Sequence, residues 1–377
     1  MLIEEPNEAK GRIRMTMLTL SRRGLIGSAA ATGALALAGR PVLAADPLKV
    51  GFIYVGPVTD NGWSYRHDVG RKDMQAALGD KVTTTFVESV PEGPDTERVL
   101  RQLATSGHGL IYTTSFGFME PTLRIARQFP KVKFEHATGF KRAANVATYN
   151  ARFYEGRAVC GTLAGLLSKS GLVGYIGSFP IPEVVQGVNA FTLAMQKVRP
   201  DAKVKLVWVN SWNDPGKEAD AAKALFDQGC DVLCQHTDSA AGMQQAEQRG
   251  LMAFGQSADM RAFGPTAQLT AIVDNWGPYY IKRTQQVIDG TWESGDSWEG
   301  LKSGEVEMAA YGPKVTPDAA AKADAVKAAI IAGTVHPFAG PIVDQKGNTV
   351  VAAGKTATDE ELNKMNWWVP GVEGQLS

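Results

Sequence analysis

The stretch VGPVTDNGWSYRHDVGRKDM, Val55–Met74, decides the fold. It begins where an apolar run, LKVGFIYV, stops at Gly56. The run is β-rich and short, as a buried strand should be. Turn residues Thr59, Asp60, Asn61 and Gly62 follow, and apolar residues then recur at helical spacing from Tyr65 to Leu78. Strand, turn and helix make the first step of a βαβ chain. Trp63 stands in the turn, between Gly62 and Ser64. A large ring at a strand exit asks what it faces.

Outward from this unit the same alternation repeats. VTTTFVE, GLIYTT and VKFEHA read as strands; Asp95–Ser106 and Met119–Gln128 read as helices. NVATYNA follows, then a helix of small residues over Tyr154–Ser168, ended by Gly171. A second series starts there. Its strands are LVGYIGS, VKLVWVN, DVLCQH, LMAFGQ and TAIVD, and its helices Glu183–Val198, Gly216–Gln228 and Gly242–Arg249. A helix over Pro278–Ile288, strand VEMAAY, helix Pro317–Ile331 and a hairpin around Lys346-Gly347 complete the chain. Two such series predict two doubly wound α/β lobes with parallel sheets.

The 377 residues suffice for two domains. Lysine plus arginine and aspartate plus glutamate number 39 each, so no basic surplus points to nucleic acid. Cys160, Cys230 and Cys234 form no CxxC pair. Along a strand the last two would stand about 13 Å apart, too far for a disulfide. All three read as small core residues. Residues 1–44 read as an export signal. Ser21-Arg22-Arg23-Gly24-Leu25-Ile26 starts a twin-arginine pattern, and Val42-Leu43-Ala44 is a small-residue cleavage site. No cysteine near it offers a lipid anchor, so a free periplasmic protein is expected.

In doubly wound sheets, ligands bind beyond the carboxyl ends of the strands. The residues there are Asn61 and Trp63; Ser115 and Phe116; Trp212; His236 and Asp238; Ser257; and Asp274 and Trp276. Aromatic and polar side chains thus collect at one edge of both lobes, the composition of a small-molecule cleft. Trp63 and Trp212 could sandwich a flat ligand. His236 is read as a hinge residue near the cleft, and His67 as a surface residue one turn past Trp63. The five histidines show no metal spacing, and no nucleophile set or P-loop is present. Neither catalysis nor a cofactor or metal is expected.

The runs NVATYNARFYEGRAVCGTLAGLLSKSGLVGYIGSFPIPEV, WNDPGKEADAAKALFDQGCDVL and GPIVDQKGNTVVAAGKTATDEELNKMNWWVPGV resemble the basic membrane protein family. These are substrate-binding proteins of ABC transporters and include the purine-nucleoside receptors. The resemblance spans Leu48–Val372. It implies a type I periplasmic-binding-protein fold: two doubly wound lobes joined by a three-strand hinge, crossing near Thr148–Arg152, Val273–Asn275 and Tyr311–Lys314. Lobe 1 would hold residues 45–149 and 275–311. Lobe 2 would hold 150–274 and 312–377, with the C-terminal hairpin. Partners implied are a small purine ligand and an inner-membrane ABC permease, with a monomeric receptor.

In the family's nucleoside receptors the base stacks between an aromatic of each lobe, and the matching positions are Trp63 and Trp212. An Asp and a Lys hold the ribose hydroxyls; here Ser257 and Asp274 stand at those places. The family's A-G-G-x-G segment carries Asp238 instead. Losing the ribose clamp and gaining carboxylates favours a ligand rich in N–H donors. A free purine base, adenine first, is the expectation. Asn61, Ser115, Ser257, Asp238 and Asp274 would supply polar contacts, with Trp276 and Phe116 at the rim. The alternatives are a nucleoside receptor, or a sensor feeding a signalling protein. A repressor core of the same fold would need a DNA-binding headpiece, which the sequence before Leu48 lacks.

Overall fold

The computed structural model describes residues 46–376. The expected export signal and its cleavage site lie outside the described residues. The first lobe opens with β1 (Leu48–Ile53), α1 (Gly62–Leu78), β2 (Val82–Val87), α2 (Pro94–Thr105), β3 (Leu110–Thr113), α3 (Met119–Ala126), β4 (Lys133–Ala137) and β5 (Val146–Ala151). The chain then passes to α4 (Phe153–Leu167), β6 (Leu172–Gly177), α5 (Pro182–Val198), β7 (Lys203–Trp208), α6 (Pro215–Asp227) and β8 (Val232–His236). The second lobe continues through α7 (Ala241–Gln248), β9 (Met252–Gly255) and β10 (Gln268–Asp274). After these come α8 (Gly277–Ile288), β11 (Asp296–Glu299), β12 (Val306–Met308), α9 (Pro317–Ile331), β13 (Ile342–Val343), β14 (Thr349–Val351), α10 (Asp359–Leu362) and β15 (Val372–Glu373).

Two main sheets result. One runs β11-β5-β4-β3-β1-β2 and is wholly parallel. The other runs β12-β10-β9-β8-β6-β7-β15, parallel except where β12 meets β10. Burial follows position. Every residue of β3 and β8 is buried, as suits central strands covered on both faces. Threonine-rich β2 lies at an edge and is largely open. The small residues of α4 also have a reason: a Cβ on Gly161 would lie 2.1 Å from the carbonyl oxygen of Phe191, so only glycine lets α4 and α5 pack this closely.

The chain passes between lobes after β5, after β10 and between β11 and β12. The third passage corrects the expectation of a crossing at Tyr311–Lys314. Val306–Met308 already pairs with β10, so residues 306–308 belong to the second lobe's sheet. The signal was hidden because β11 is short and charged (DSWE), and pairs with β5 as an edge strand. The C-terminal hairpin forms as read, with Asp344 and Asn348 closing its turn. All three cysteines are buried and free. No described helix is long and apolar enough to cross a membrane.

Candidate ligand-binding site

Strand order reverses between β1 and β3 in the first sheet and between β6 and β8 in the second. Such switch points leave a crevice past the strand ends. The loops there wall one cleft. The first lobe contributes Val55, Trp63, Ser115, Phe116 and Thr138; the second contributes Glu183, Trp212, His236, Thr237, Asp238, Gln256 and Ser257. Six expected residues therefore meet: Trp63, Trp212, Ser115, Phe116, Asp238 and Ser257.

Each ring is anchored by its indole N–H. Trp63 donates to the carbonyl oxygen of Thr114 at 2.6 Å, within its own lobe. Trp212 donates across the cleft to Oε1 of Glu92 at 3.2 Å. The same Glu92 oxygen accepts from the Ser115 hydroxyl at 2.6 Å and from the Gly117 amide at 3.0 Å. Ser115 therefore steadies the Glu92 that Trp212 reaches.

Several expected placements are corrected, that of Asp274 among them. Trp276 is not at the rim; it is 0% exposed and packs edge-on behind Trp63, ring centroids 5.5 Å apart. His67 is not on the surface: it is buried and stacks on Trp276 at 4.8 Å. An apolar turn of α1 faces α8, so a ring that sequence spacing leaves ambiguous becomes core. Asn61 lies beside the cleft, among residues of a neighbouring depression, and its Nδ2 donates to the carbonyl oxygen of Asp238 at 2.8 Å.

Asp274 stands behind the wall, its amide bonded to the carbonyl of Ser257 at 2.9 Å. Its carboxylate is fully buried and neither oxygen has a protein partner. Burial pushes this carboxyl well above the usual carboxylate range. Ser257 sits at φ 59°, in the left-handed region that few non-glycine residues occupy. Its hydroxyl accepts from Gln256 Nε2 at 3.1 Å. Burial also pushes Asp238 up to about 7, with Glu218 adding to the rise and the Trp63 amide opposing it.

Glu183, Val55, Thr138, Thr237 and Gln256 are absent from the expected set, and His236 is more than a hinge residue. His236 Nε2 lies 3.2 Å from Glu183 Oε1, while Glu183 Oε2 and His236 Nδ1 have no protein partner. Burial holds the His236 imidazole below its ordinary value, although Glu183 pulls the other way. A neutral ring with its proton toward Glu183 leaves Nδ1 as an acceptor. The signal for Glu183 is the strand-exit rule applied to β6, whose exit leads through Phe179 and Pro180 to the first turn of α5. Gln256 is held by the buried Arg157, which donates to its Oε1. No lysine lines the cleft, and among the described residues no group of side chains could hold a metal ion.

The family described as ABC transporter substrate-binding protein, PnrA-like (Bmp), matches residues 48–335. A purine-binding protein of Brucella abortus is 55% identical over 333 residues, covering 88% of this chain and 95% of that protein. A putative ABC-transporter glucose-binding protein of Haloferax volcanii is 32% identical over 332 residues, covering 88% of this chain and 82% of its own. Among solved structures, an ABC-transporter solute-binding protein of Aeropyrum pernix superposes with a TM-score of 0.66 at 19% identity, covering 77% of this chain and 93% of that one. That likeness shows the fold alone: two-lobed, of the type I periplasmic-binding class.

Proposed function

The chain belongs to the PnrA-like, or Bmp, family of ABC-transporter substrate-binding proteins, and on that premise we propose that it captures a free purine base, adenine first, between its two lobes. One observation carries the reading. Two tryptophans from opposite lobes, Trp63 and Trp212, wall a cleft whose polar lining includes Glu183 and His236, with Glu183 Oε2 and His236 Nδ1 unpartnered. Stacking a base on an aromatic ring contributes about 1–3 kcal/mol. Carboxylate oxygens only accept, so they select a ligand edge of N–H groups. Adenine offers a ring N–H and an exocyclic amine.

The ribose contacts of the family's nucleoside receptors have no counterpart here. Ser257 and Asp274 replace the Asp–Lys pair, and no lysine lines the cleft. The purine named in the relative from Brucella abortus supports the same ligand class. The receptor would act in the periplasm as a monomer and deliver its solute to an inner-membrane permease, without catalysis. Ligand would favour the closed arrangement only by its greater affinity for it.

Tryptophan-fluorescence titration of refolded, ligand-stripped protein tests this. Adenine, guanine and xanthine are compared with glucose. Saturable quenching by a purine with none by glucose is expected. Glucose binding without purine binding would overturn the proposal.

A further inference from the structure

Asp238 reaches across the cleft to the other lobe. It follows β8 in the second lobe, and its amide donates to the carbonyl oxygen of Trp212 at 2.9 Å. Its Oδ1 accepts from the backbone N–H of Trp63 at 2.9 Å, and its carbonyl oxygen from Asn61 Nδ2 at 2.8 Å. Asn61 is the N-cap of α1, and Trp63 lies in its first turn.

That helix has no cap of its own. The Asn61 side chain makes no capping bond, and the first turn holds no acidic residue. A helix start leaves unpaired N–H groups and partial positive charge, which a carboxylate stabilises. Three other helices are capped by a local side chain, α6 by Asp214, α9 by Thr316 and α10 by Thr358, and the rest have no side-chain cap; what sets α1 apart is the acceptor that reaches it from the opposite lobe. Space for the cross-lobe cap is made by Gly62, at φ 84°. A Cβ there would lie 2.7 Å from the Asp238 carbonyl oxygen and 3.3 Å from its carboxyl carbon.

We propose that Asp238 is a closing latch: it caps α1 from the opposite lobe, stabilises the closed arrangement by direct contact, and fixes the spacing of Trp63 and Trp212. The inference rests on the two-lobed receptor architecture and not on which solute is bound. It makes Asp238 a positioning residue, although its place in the cleft suggests a ligand contact. Removing an N-cap acceptor typically changes a folding equilibrium roughly two- to thirtyfold, and the closed-to-open ratio should change alike.

The test is a lobe-to-lobe distance distribution by double electron–electron resonance, with no solute added. Spin labels are placed on Lys81→Cys and Lys223→Cys, both exposed positions; the native cysteines are buried. Asp238→Ala should lower the short-distance fraction relative to the long one by roughly two- to thirtyfold. Asp238→Asn keeps an oxygen that accepts from Trp63 and should stay within about twofold of the native ratio. If Asp238→Ala does not fold, Asn61→Ala decides, since it removes only the reciprocal bond and should lower the ratio less. Identical distributions for native and variant protein would overturn the latch. With adenine present, Asp238→Ala should also speed release by the same factor. Failure of adenine to bind the native protein would count against the purine reading and leave the distance measurement to decide the latch.

Discussion

The indole N–H of Trp63 donates to the carbonyl oxygen of Thr114 at 2.6 Å, and this bond fixes how the ring enters the cleft. Trp276 supports it edge-on from behind. The ring is thus held in place before any ligand arrives. Trp63→Ala should weaken adenine binding by roughly 5- to 150-fold, since stacking contributes about 1–3 kcal/mol. Calorimetry reads this directly. Unchanged affinity would remove the sandwich from the account.

Glu183 presents one oxygen to His236 and keeps the other without a protein partner. Glu183→Gln replaces half of an acceptor-only group with a donor at nearly constant shape. Hydrogen bonds to charged groups contribute about 1.5–3 kcal/mol, so adenine affinity should fall by roughly tenfold or more. The unfolding midpoint of the ligand-free variant should barely move. A variant that binds adenine like the native protein would show that Glu183 does not touch the base.

Glu135 is wholly buried in β4 and bound by three side chains from the α8–β11 segment. Arg283 Nε stands 2.6 Å from it, Trp292 Nε1 2.6 Å and the Tyr279 hydroxyl 2.7 Å. This pair ties the returning segment 275–299 to the first lobe. Removing one partner of a buried pair strands the other, at a cost of about 3–5 kcal/mol. Arg283→Ala should therefore lower the urea midpoint sharply, whereas an effect below about 1 kcal/mol would contradict the assignment.

His136 is buried beneath Gly139, with Nδ1 2.9 Å from the Thr113 hydroxyl. Burial holds its imidazole down at about 3, against an ordinary value of 6.5. The unfolded chain therefore binds a proton between these values that the folded chain refuses. Stability contributed by this site is present above pH 6.5 and is lost as pH falls from there toward 3. At pH 5 the loss from this residue is about 2 kcal/mol. His136→Gln should flatten the decline in urea midpoint between pH 7 and pH 5. An equally steep decline in the variant would assign acid sensitivity to other groups.

Much of this was legible because strand-exit positions follow from periodicity alone. Trp63, Ser115, Phe116, Trp212, Asp238 and Ser257 all stand just past a strand end, and all line the cleft. Depth was not legible. Trp276 and Asn61 also follow or precede an element boundary, yet one is buried behind Trp63 and the other turns toward Asp238. Side-chain direction at a helix start depends on what the facing lobe presents, which no local spacing encodes. Glu183 stayed hidden because Phe179 and Pro180 lengthen the exit from β6. The third passage between lobes stayed hidden because DSWE carries no apolar alternation; its pairing with β5 is a tertiary fact.

The most direct test of the central claim is calorimetric titration of the refolded, ligand-stripped protein with adenine and, separately, adenosine. Tight binding of adenine with weak binding of adenosine is predicted, because Ser257 and Asp274 offer the ribose no Asp–Lys clamp. Adenosine binding more tightly than adenine would contradict the account and return the cleft to a nucleoside.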